Sequence, residues 1–275
     1  MLRLGLSRPR EKPLSLRLAP RAESYLKKMA QLFDLILYKP LLNTLVFLYQ
    51  TIAFGDLGVA IILITILVRI VLYPLFHKMA RTQTVMQRLQ PELKKIQELH
   101  GKNKEKHVQA TLDLYKKHEV NPFSNILLVI IQIPILIALF NILHGDRGIL
   151  TDNFFSDIYS FIAPPDSINT MFFGLINLKE RSIVIVVLAV LAQYIQGRMS
   201  LPALPKDREA TQQEKIGRQM VFIGPIITLI FFYNFPAAIA LYWLISTAFS
   251  ILQQYIVNTH IQQHGTVGTN SQKNS

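Results

Sequence analysis

A single arginine, Arg69, stands inside the apolar run 61–76 (IILITILVRIVLYPLF). Burying a charge at that depth of a membrane costs about 2.5–3.5 kcal/mol on the translocon insertion scale. Thr65 lies one helical turn before Arg69 and Tyr73 one turn after it, so all three share a helix face. No acidic residue occurs in any of the apolar runs to pair with this charge. We therefore predict a water-filled polar cavity around Arg69, open to the cytoplasm.

Other hydrogen-bonding side chains interrupt the remaining apolar runs, and we expect them to line the same cavity. They are Gln132, Gln193, Tyr242, Trp243, Ser246 and Thr247. One alternative is that these groups only join helices, each contributing about 1 kcal/mol or less. For Arg69 the alternative is snorkelling to the headgroups, over about eight residues or ~12 Å at ~1.5 Å per residue.

Motifs for enzymatic chemistry are missing from the sequence. It contains neither the HExxH of zinc proteases, the GxSxG of serine hydrolases nor the GxxxxGK[ST] of P-loop motors. There is no cysteine, and the seven histidines lie in loops or beyond the ends of the apolar runs. We expect no enzymatic activity, no metal site and no cofactor.

The composition, 51% hydrophobic and 17% charged, predicts an all-α integral membrane protein. Five runs approach the ~20 residues that a membrane-spanning helix needs. They are 58–76, 122–143, 182–198, 220–235 and 237–257, and Pro236 separates the last two. Residues 29–57 are apolar but carry Asp34, Lys39, Pro40 and Asn43, which favours an interfacial amphipathic helix over a sixth span.

Loop charges orient the predicted bundle. Residues 77–121 hold ten Lys or Arg against five acidic residues, and residues 198–218 hold five against three, so both loops should be cytoplasmic. The acid-rich loop 144–181 suits the other side, which places the N-terminus outside and the C-terminus inside. The basic segment 1–28 resists export; either 31–54 is a span, or translation begins at Met29, which we favour. Residues 259–275 are polar and should form a disordered cytoplasmic tail.

The first cytoplasmic loop carries a helical pattern of its own. Apolar residues recur at i, i+4 and i+7 on both sides of the polar break 101–104. They are Leu89, Leu93 and Ile96 before it, and Val108, Leu112 and Tyr115 after it. Residues 83–118 are thus predicted to form a hairpin of two amphipathic helices joined along these stripes. A solvated charged connector is the alternative.

Taken together, residues 34–258 resemble the YidC/Oxa/Alb family of membrane protein insertases, in the short bacterial form without a large periplasmic domain. The resemblance rests on the order and spacing of six fragments. These are YKPLLNTLVFLY, GVAIILITILVRIVLYPLF, LQPELKKIQE, KEKHVQATLDLYKKHEVNP, IQIPILIALF and FPAAIALYWLIST. The chain departs from the family at FSNILLV (123–129), where Gly and Pro are common, and at Ala238 and Thr247, where Gly and Asn are.

The resemblance implies a five-helix bundle in the inner membrane, with a hydrophilic groove open to the cytoplasm. Arg69 would be the groove arginine, Gln132 and Trp243 would lie on the substrate path, and the hairpin would receive substrates. The implied partners are nascent membrane proteins and the lipid bilayer, with the ribosome, the signal recognition particle receptor and the Sec translocon as candidates, but not DNA. An assembly scaffold and a channel or small-solute transporter are the alternative functions.

Overall fold

The computed structural model describes residues 20–121, 123–145, 148–149, 154–201, 215 and 218–264. Helices make up most of this part of the chain. They are α1 (Pro20–Phe33), α2 (Lys39–Thr51), α3 (Leu57–Val71), α4 (Tyr73–Arg88), α5 (Gln90–His100), α6 (Lys104–Lys117), α7 (Ser124–His144), α8 (Ile183–Met199), α9 (Ile223–Phe232) and α10 (Ala237–His264). A π-helical segment, Asp34–Tyr38, joins α1 to α2, and a 3₁₀ turn spans Phe154–Asp157. Strands β1 (Met171–Phe172) and β2 (Ile176–Asn177) pair antiparallel, with Met171 opposite Asn177.

The predicted first span, 58–76, is not one straight helix, because it bends after Val71. Helix α3 ends at Val71, and α4 leaves Leu72 at an angle of 72° to it. Pro74 gives the physical reason, because it lacks an N–H for the carbonyl of Ile70 and its ring disfavours a continuous helix before it. Tyr73 consequently begins a new helix and does not continue the face of Thr65 and Arg69.

By length and apolar composition, two helices in the described residues are able to cross a membrane: Ser24–Thr51 and Ala237–His260. The bent pair α3–α4 makes a third if it counts as one span. The other apolar helices are shorter: Ile130–His144, Ile183–Met199 and Arg218–Phe232. The protein is a helical membrane protein, and the number of five spans stays a prediction.

Both predicted flanking segments have different boundaries in the structure. The predicted interfacial helix 29–57 begins earlier, at Pro20, and ends at Thr51. The predicted disordered tail is helical up to His264, because α10 continues past residue 258. The remaining parts of the predicted segments 1–28, 198–218 and 259–275 include residues 1–19, 202–214, 216–217 and 265–275, which lie outside the described residues.

The bundle is organised around α10, which packs against α8, α3, α4 and α7. Helix α9 covers α8, and α2 packs against α3 and α7. Most of the largest fully buried side chains come together on the side of the bundle where α3 begins. They include Leu42, Leu57, Ile61, Ile64, Leu139, Ile142, Leu143, Leu178 and Ile239. Close packing of such side chains is the main force between helices where lipid is the solvent.

Helices α5 and α6 pack against each other at the opposite side of the bundle from this apolar core. Leu89, Leu114 and Val120 are buried between them, and Leu93, Ile96 and Tyr115 pack on these three. The prediction for Val108 and Leu112 is wrong, because their side chains are 55% and 44% exposed. The contact face of α6 runs through Leu114 instead, which lies beside the predicted stripe on the helix.

Candidate functional site, a buried polar cluster around Arg69

The guanidinium of Arg69 is enclosed by groups from two other helices. Its side chain is 6% exposed and donates a hydrogen bond from Nη2 to Oγ of Ser246 on α10. The bend at Leu72 turns α4 so that the ring of Phe76 lies 4.4 Å from the Arg69 Cζ atom, measured to the ring centroid. A cation over an aromatic face is stabilised by the ring quadrupole. Among the described residues, Arg69 therefore has the neutral side chain of Ser246 and the aromatic ring of Phe76 as partners.

Tyr242 extends this cluster to a third helix. Its hydroxyl accepts a hydrogen bond from Nε2 of Gln132 on α7, and Ser246 lies one turn further along α10. Gln132, Tyr242, Ser246 and Arg69 thus link α7, α10 and α3, and we call these four residues the Arg69 cluster. The four residues were predicted to share one site, and the structure brings them together.

The Arg69 cluster contains no carboxylate. Within the described part of the chain, ion pairs join Lys39 to Asp157 and Lys94 to Glu98, and His118 Nε2 lies 4.0 Å from Glu92 Oε1, all away from Arg69. A guanidinium carries five N–H donors, and one of them is engaged by a described side chain, Ser246. An anionic group that reached Arg69 would find donors that no described acidic side chain occupies.

Gln193 and Trp243 belong to a second polar group, on α8, α9 and α10. The Oε1 atom of Gln193 accepts hydrogen bonds from Trp243 Nε1 at 2.8 Å and from Thr228 Oγ1 at 3.0 Å. A cavity of about 220 Å³ adjoins this group. Its lining residues are Gln193, Gln196, Gly197, Ser200, Met220, Val221, Gly224 and Pro225.

The remaining predicted site residues take other positions. Thr65 is 1% exposed and donates to the carbonyl of Ile61 at 2.6 Å, within its own helix. Thr247 is also buried, at 5% exposure. Tyr73 is exposed, and its ring stacks on His77 with centroids 5.4 Å apart. Its side chain is thus outside the Arg69 cluster, contrary to the prediction, although its carbonyl accepts a 3.4 Å hydrogen bond from Gln253.

Sequence reasoning missed the contact by which the polar row along α10 reaches α4, through Thr84 and Asn258. Gln254 Nε2 donates to Thr84 Oγ1 at 2.8 Å, and Thr84 Oγ1 donates to Asn258 Oδ1 at 2.8 Å, which ties α10 to α4. A regular spacing of four residues carried the signal: Tyr242, Ser246, Ser250, Gln254 and Asn258. Phe76 and Thr228 had no comparable signal, because neither belongs to a regular row of polar residues.

The chain is similar to known membrane proteins. Residues 47–264 match the model of the 60Kd inner membrane protein family. Similar proteins include the membrane protein insertases YidC of Syntrophobacter fumaroxidans (32% identity, 81% of this chain, 38% of the relative), Rickettsia bellii (29%, 81% and 39%) and Geobacter sulfurreducens (28%, 82% and 38%). The chain therefore spans about two fifths of the length of these curated relatives.

Proposed function

This chain belongs to the 60Kd inner membrane protein family, which includes the YidC insertases, and we propose that it inserts nascent membrane proteins into the bilayer. The observation that carries the proposal is the Arg69 cluster. A buried positive charge has only neutral side-chain partners there, within the described residues, and these come from helices that meet in the bundle interior. This arrangement suits a site that receives a polar segment of another protein.

Insertion is energetically difficult because part of the substrate is polar and must cross the hydrocarbon core. Unpaired polar and charged groups are costly in hydrocarbon, where no water satisfies them. A polar groove that reaches Arg69 from the hairpin side would reduce the thickness of hydrocarbon that such a segment must cross. A substrate carboxylate would replace Ser246 as the partner of Arg69 and form a charge-assisted hydrogen bond.

Release of the substrate is favoured because the partners of Arg69 in the cluster carry no negative charge. A fixed carboxylate opposite Arg69 would compete with the substrate and keep the groove closed, whereas serine is a weaker partner for a guanidinium. The apolar helix of the substrate then moves sideways into lipid, where its transfer from water supplies the driving force. This mechanism needs no nucleotide hydrolysis.

We place the hairpin 83–118 and the basic loop 198–218 in the cytoplasm, because their excess of lysine and arginine follows the positive-inside rule. The C-terminus then lies inside and the N-terminus outside. Nascent chains would arrive on the hairpin side, and the ribosome, the signal recognition particle receptor and the Sec translocon are candidates for their delivery. An assembly scaffold or a small-solute channel would not need to hold nascent chains at Gln132.

The proposal is tested with purified protein in liposomes and single-span substrates whose translocated tails are acidic or neutral. Arg69→Ala should lower insertion of the acidic substrates roughly 10- to 100-fold, the range expected when a hydrogen bond to a charged group is lost. Arg69→Lys should retain most activity, and Lys179→Ala, an exposed charge far along the chain, serves as the control. Equal insertion of acidic tails by parent and Arg69→Ala would refute the role of Arg69.

A photocrosslinking residue at position 132 separates the insertase from a scaffold. With a stalled nascent membrane protein, the insertase predicts crosslinks from position 132 that disappear once the chain is released and inserted. Position 188, on the exposed face of α8, is the matched control. Absence of crosslinks at 132 under these conditions would favour the scaffold.

A further inference from the structure

A row of side chains on one face of α2 holds the segment that follows the 3₁₀ turn. Lys39, Asn43 and Gln50 lie at i, i+4 and i+11, and so on the same side of the helix. Asn43 donates to the carbonyl of Asp157 at 3.0 Å and accepts from the N–H of Tyr159 at 2.6 Å. Lys39 Nζ lies 3.4 Å from the buried Asp157 carboxylate, whose side chain is 7% exposed.

The same attachment continues towards α3. Gln50 Nε2 donates to the carbonyl of Ala163 at 2.8 Å, and Tyr49 Oη accepts from the N–H of Asn169 at 2.7 Å. Asp56 caps α3 by accepting from Val59 N at 3.0 Å, and its other oxygen accepts from Phe173 N at 2.7 Å. Residues 157–178, which we call the strap, therefore run along α2 and are bound at successive points.

The strap turns an apolar side to the bundle. Ile158, Ile162, Ile168, Phe172 and Ile176 pack on the apolar core, and Leu178 is fully buried. Its end is joined to the start of α10, where Ala238 N donates to Leu178 O at 3.1 Å. The strap packs closely against α3 at Gly58, which has no side chain. A Cβ atom at this position would lie 2.1 Å from the Phe172 ring.

Between the strap and the Arg69 cluster lies a layer of fully buried apolar side chains. Ile61 and Ile64 precede Arg69 on α3, and Ile142 and Ile239 face them from α7 and α10 as members of the same core. Apolar cavities exclude water and ions, so this layer is a dry barrier as long as its helices stay together. The strap binds α2, the start of α3 and the start of α10, which are three of the elements around the layer.

We propose that the polar side chains of α2 (Lys39, Asn43, Tyr49 and Gln50), together with Asp56 at the start of α3, position the strap as a seal. The seal keeps ions from passing between the Arg69 cluster and the far side of the bundle. If a groove admits water to Arg69, the apolar layer is the barrier that remains between that water and the far side of the bundle. Apolar side chains form no hydrogen bonds, so they do not fix the distances between the helices that carry them. The inference rests on the proposed groove at Arg69, but ion permeability is measured without a substrate, so its failure can be told apart from a failure of the insertase proposal.

The test is ion leakage through liposomes that contain the purified protein. Vesicles are loaded with a pH-sensitive dye, and a proton gradient is applied in the presence of valinomycin. Asn43→Leu removes the hydrogen bonds of Asn43 with the Asp157 carbonyl and the Tyr159 N–H, and should raise the leak rate roughly tenfold over the parent. Tyr49→Phe removes one hydrogen bond and should give a smaller increase. Thr51→Val, which loses only a bond within α2, should leave the leak unchanged.

Chemical restoration distinguishes a loosened strap from a misfolded protein. The sequence has no cysteine, so Gln50→Cys and Ala163→Cys introduce two unique thiols at exposed positions that are in contact in the parent. Bridging them with a short bismaleimide in the Asn43→Leu background should return the leak to the parental rate. The proposal is overturned if Asn43→Leu and Tyr49→Phe vesicles are as tight as the parent, or if the bridged protein leaks as much as the unbridged one.

Discussion

The two sides of the bundle use polar side chains in different ways. Along the strap, the side chains of α2 other than Lys39, together with Asp56, bond backbone N–H and carbonyl groups, for example Asn43 with Asp157 and Tyr159. In the Arg69 cluster and around Gln193, the hydrogen bonds join one side chain to another. Backbone groups are held by the chain, whereas side chains rotate between rotamers. The first kind of bond suits permanent closure, and the second suits partners that are exchanged with a substrate.

The largest difference between the two sides should appear in the free energy of unfolding. Ile142→Ala empties space in the fully buried core and should cost about 2–5 kcal/mol. Ser246→Ala should cost about 1 kcal/mol or less, although Ser246 is equally enclosed, because hydrogen bonds between membrane helices contribute little on average. Reversible unfolding in detergent micelles measures both variants. Equal losses would show that the Arg69 cluster is as rigid a part of the fold as the apolar core.

A methyl group at Gly58 should loosen the strap selectively. Gly58→Ala forces the Phe172 ring to move, which we expect to cost about 1–3 kcal/mol. The measurement is the rate at which a protease cleaves the 157–178 segment in detergent. Gly224→Ala is the matched control, since its added Cβ meets the flexible Gln193 amide at 3.1 Å. Cleavage at the parental rate in Gly58→Ala would mean that the strap adapts around the new methyl group.

The hairpin should respond independently of the strap. Leu114→Ala removes a buried contact between α5 and α6 and should destabilise the hairpin by about 2 kcal/mol, whereas Leu112→Ala, at an exposed position, should cost less than about 0.5 kcal/mol. Amide hydrogen exchange should show faster exchange in α5 and α6 of Leu114→Ala and unchanged exchange in the strap. Faster exchange in both regions would show that the hairpin and the strap unfold together as one cooperative unit.

The smallest effect concerns a single pair within the Arg69 cluster. A double-mutant cycle of Gln132→Leu and Tyr242→Phe should give a coupling energy of about 0.6 kcal/mol, the average for such bonds in membranes. Unfolding in detergent gives the four stabilities. A coupling well above 2 kcal/mol would indicate a fixed structural bond and weaken the interpretation of the cluster as an exchangeable site.

Much of the Arg69 cluster was predictable, because an arginine with no acidic neighbour in an apolar run requires a special environment. Gln132, Tyr242 and Ser246 were predicted to share its site; Ser246 bonds Arg69 directly, and Gln132 bonds Tyr242 one turn away on α10. Tyr73 was placed wrongly, since Pro74 was treated as part of a continuous helix. The same bend brings Phe76 over Arg69, a contact that helical spacing along a straight span does not suggest.

The hairpin illustrates a smaller error of the same kind. Periodicity correctly identified Leu89, Leu93, Ile96 and Tyr115 as contact residues, but the stripe through Val108 and Leu112 is exposed. Two faces of α6 carry apolar residues, and the rotation of α6 against α5 decides which of them is covered. That rotation depends on packing between the helices and is not encoded in the spacing within either one.

By itself, the sequence determined the membrane class, the position of most helices and the presence of a charge that lacks an acidic partner in the apolar runs, because these depend on composition and on local periodicity. Only the tertiary structure decided which aromatic ring covers Arg69, which face of α6 is buried, and that α2 carries the strap. Lys39, Asn43 and Gln50 are separated from their partners by more than a hundred residues, as in the bond from Asn43 to Asp157. Local patterns show that such side chains need partners, but the partners themselves follow from how the helices pack.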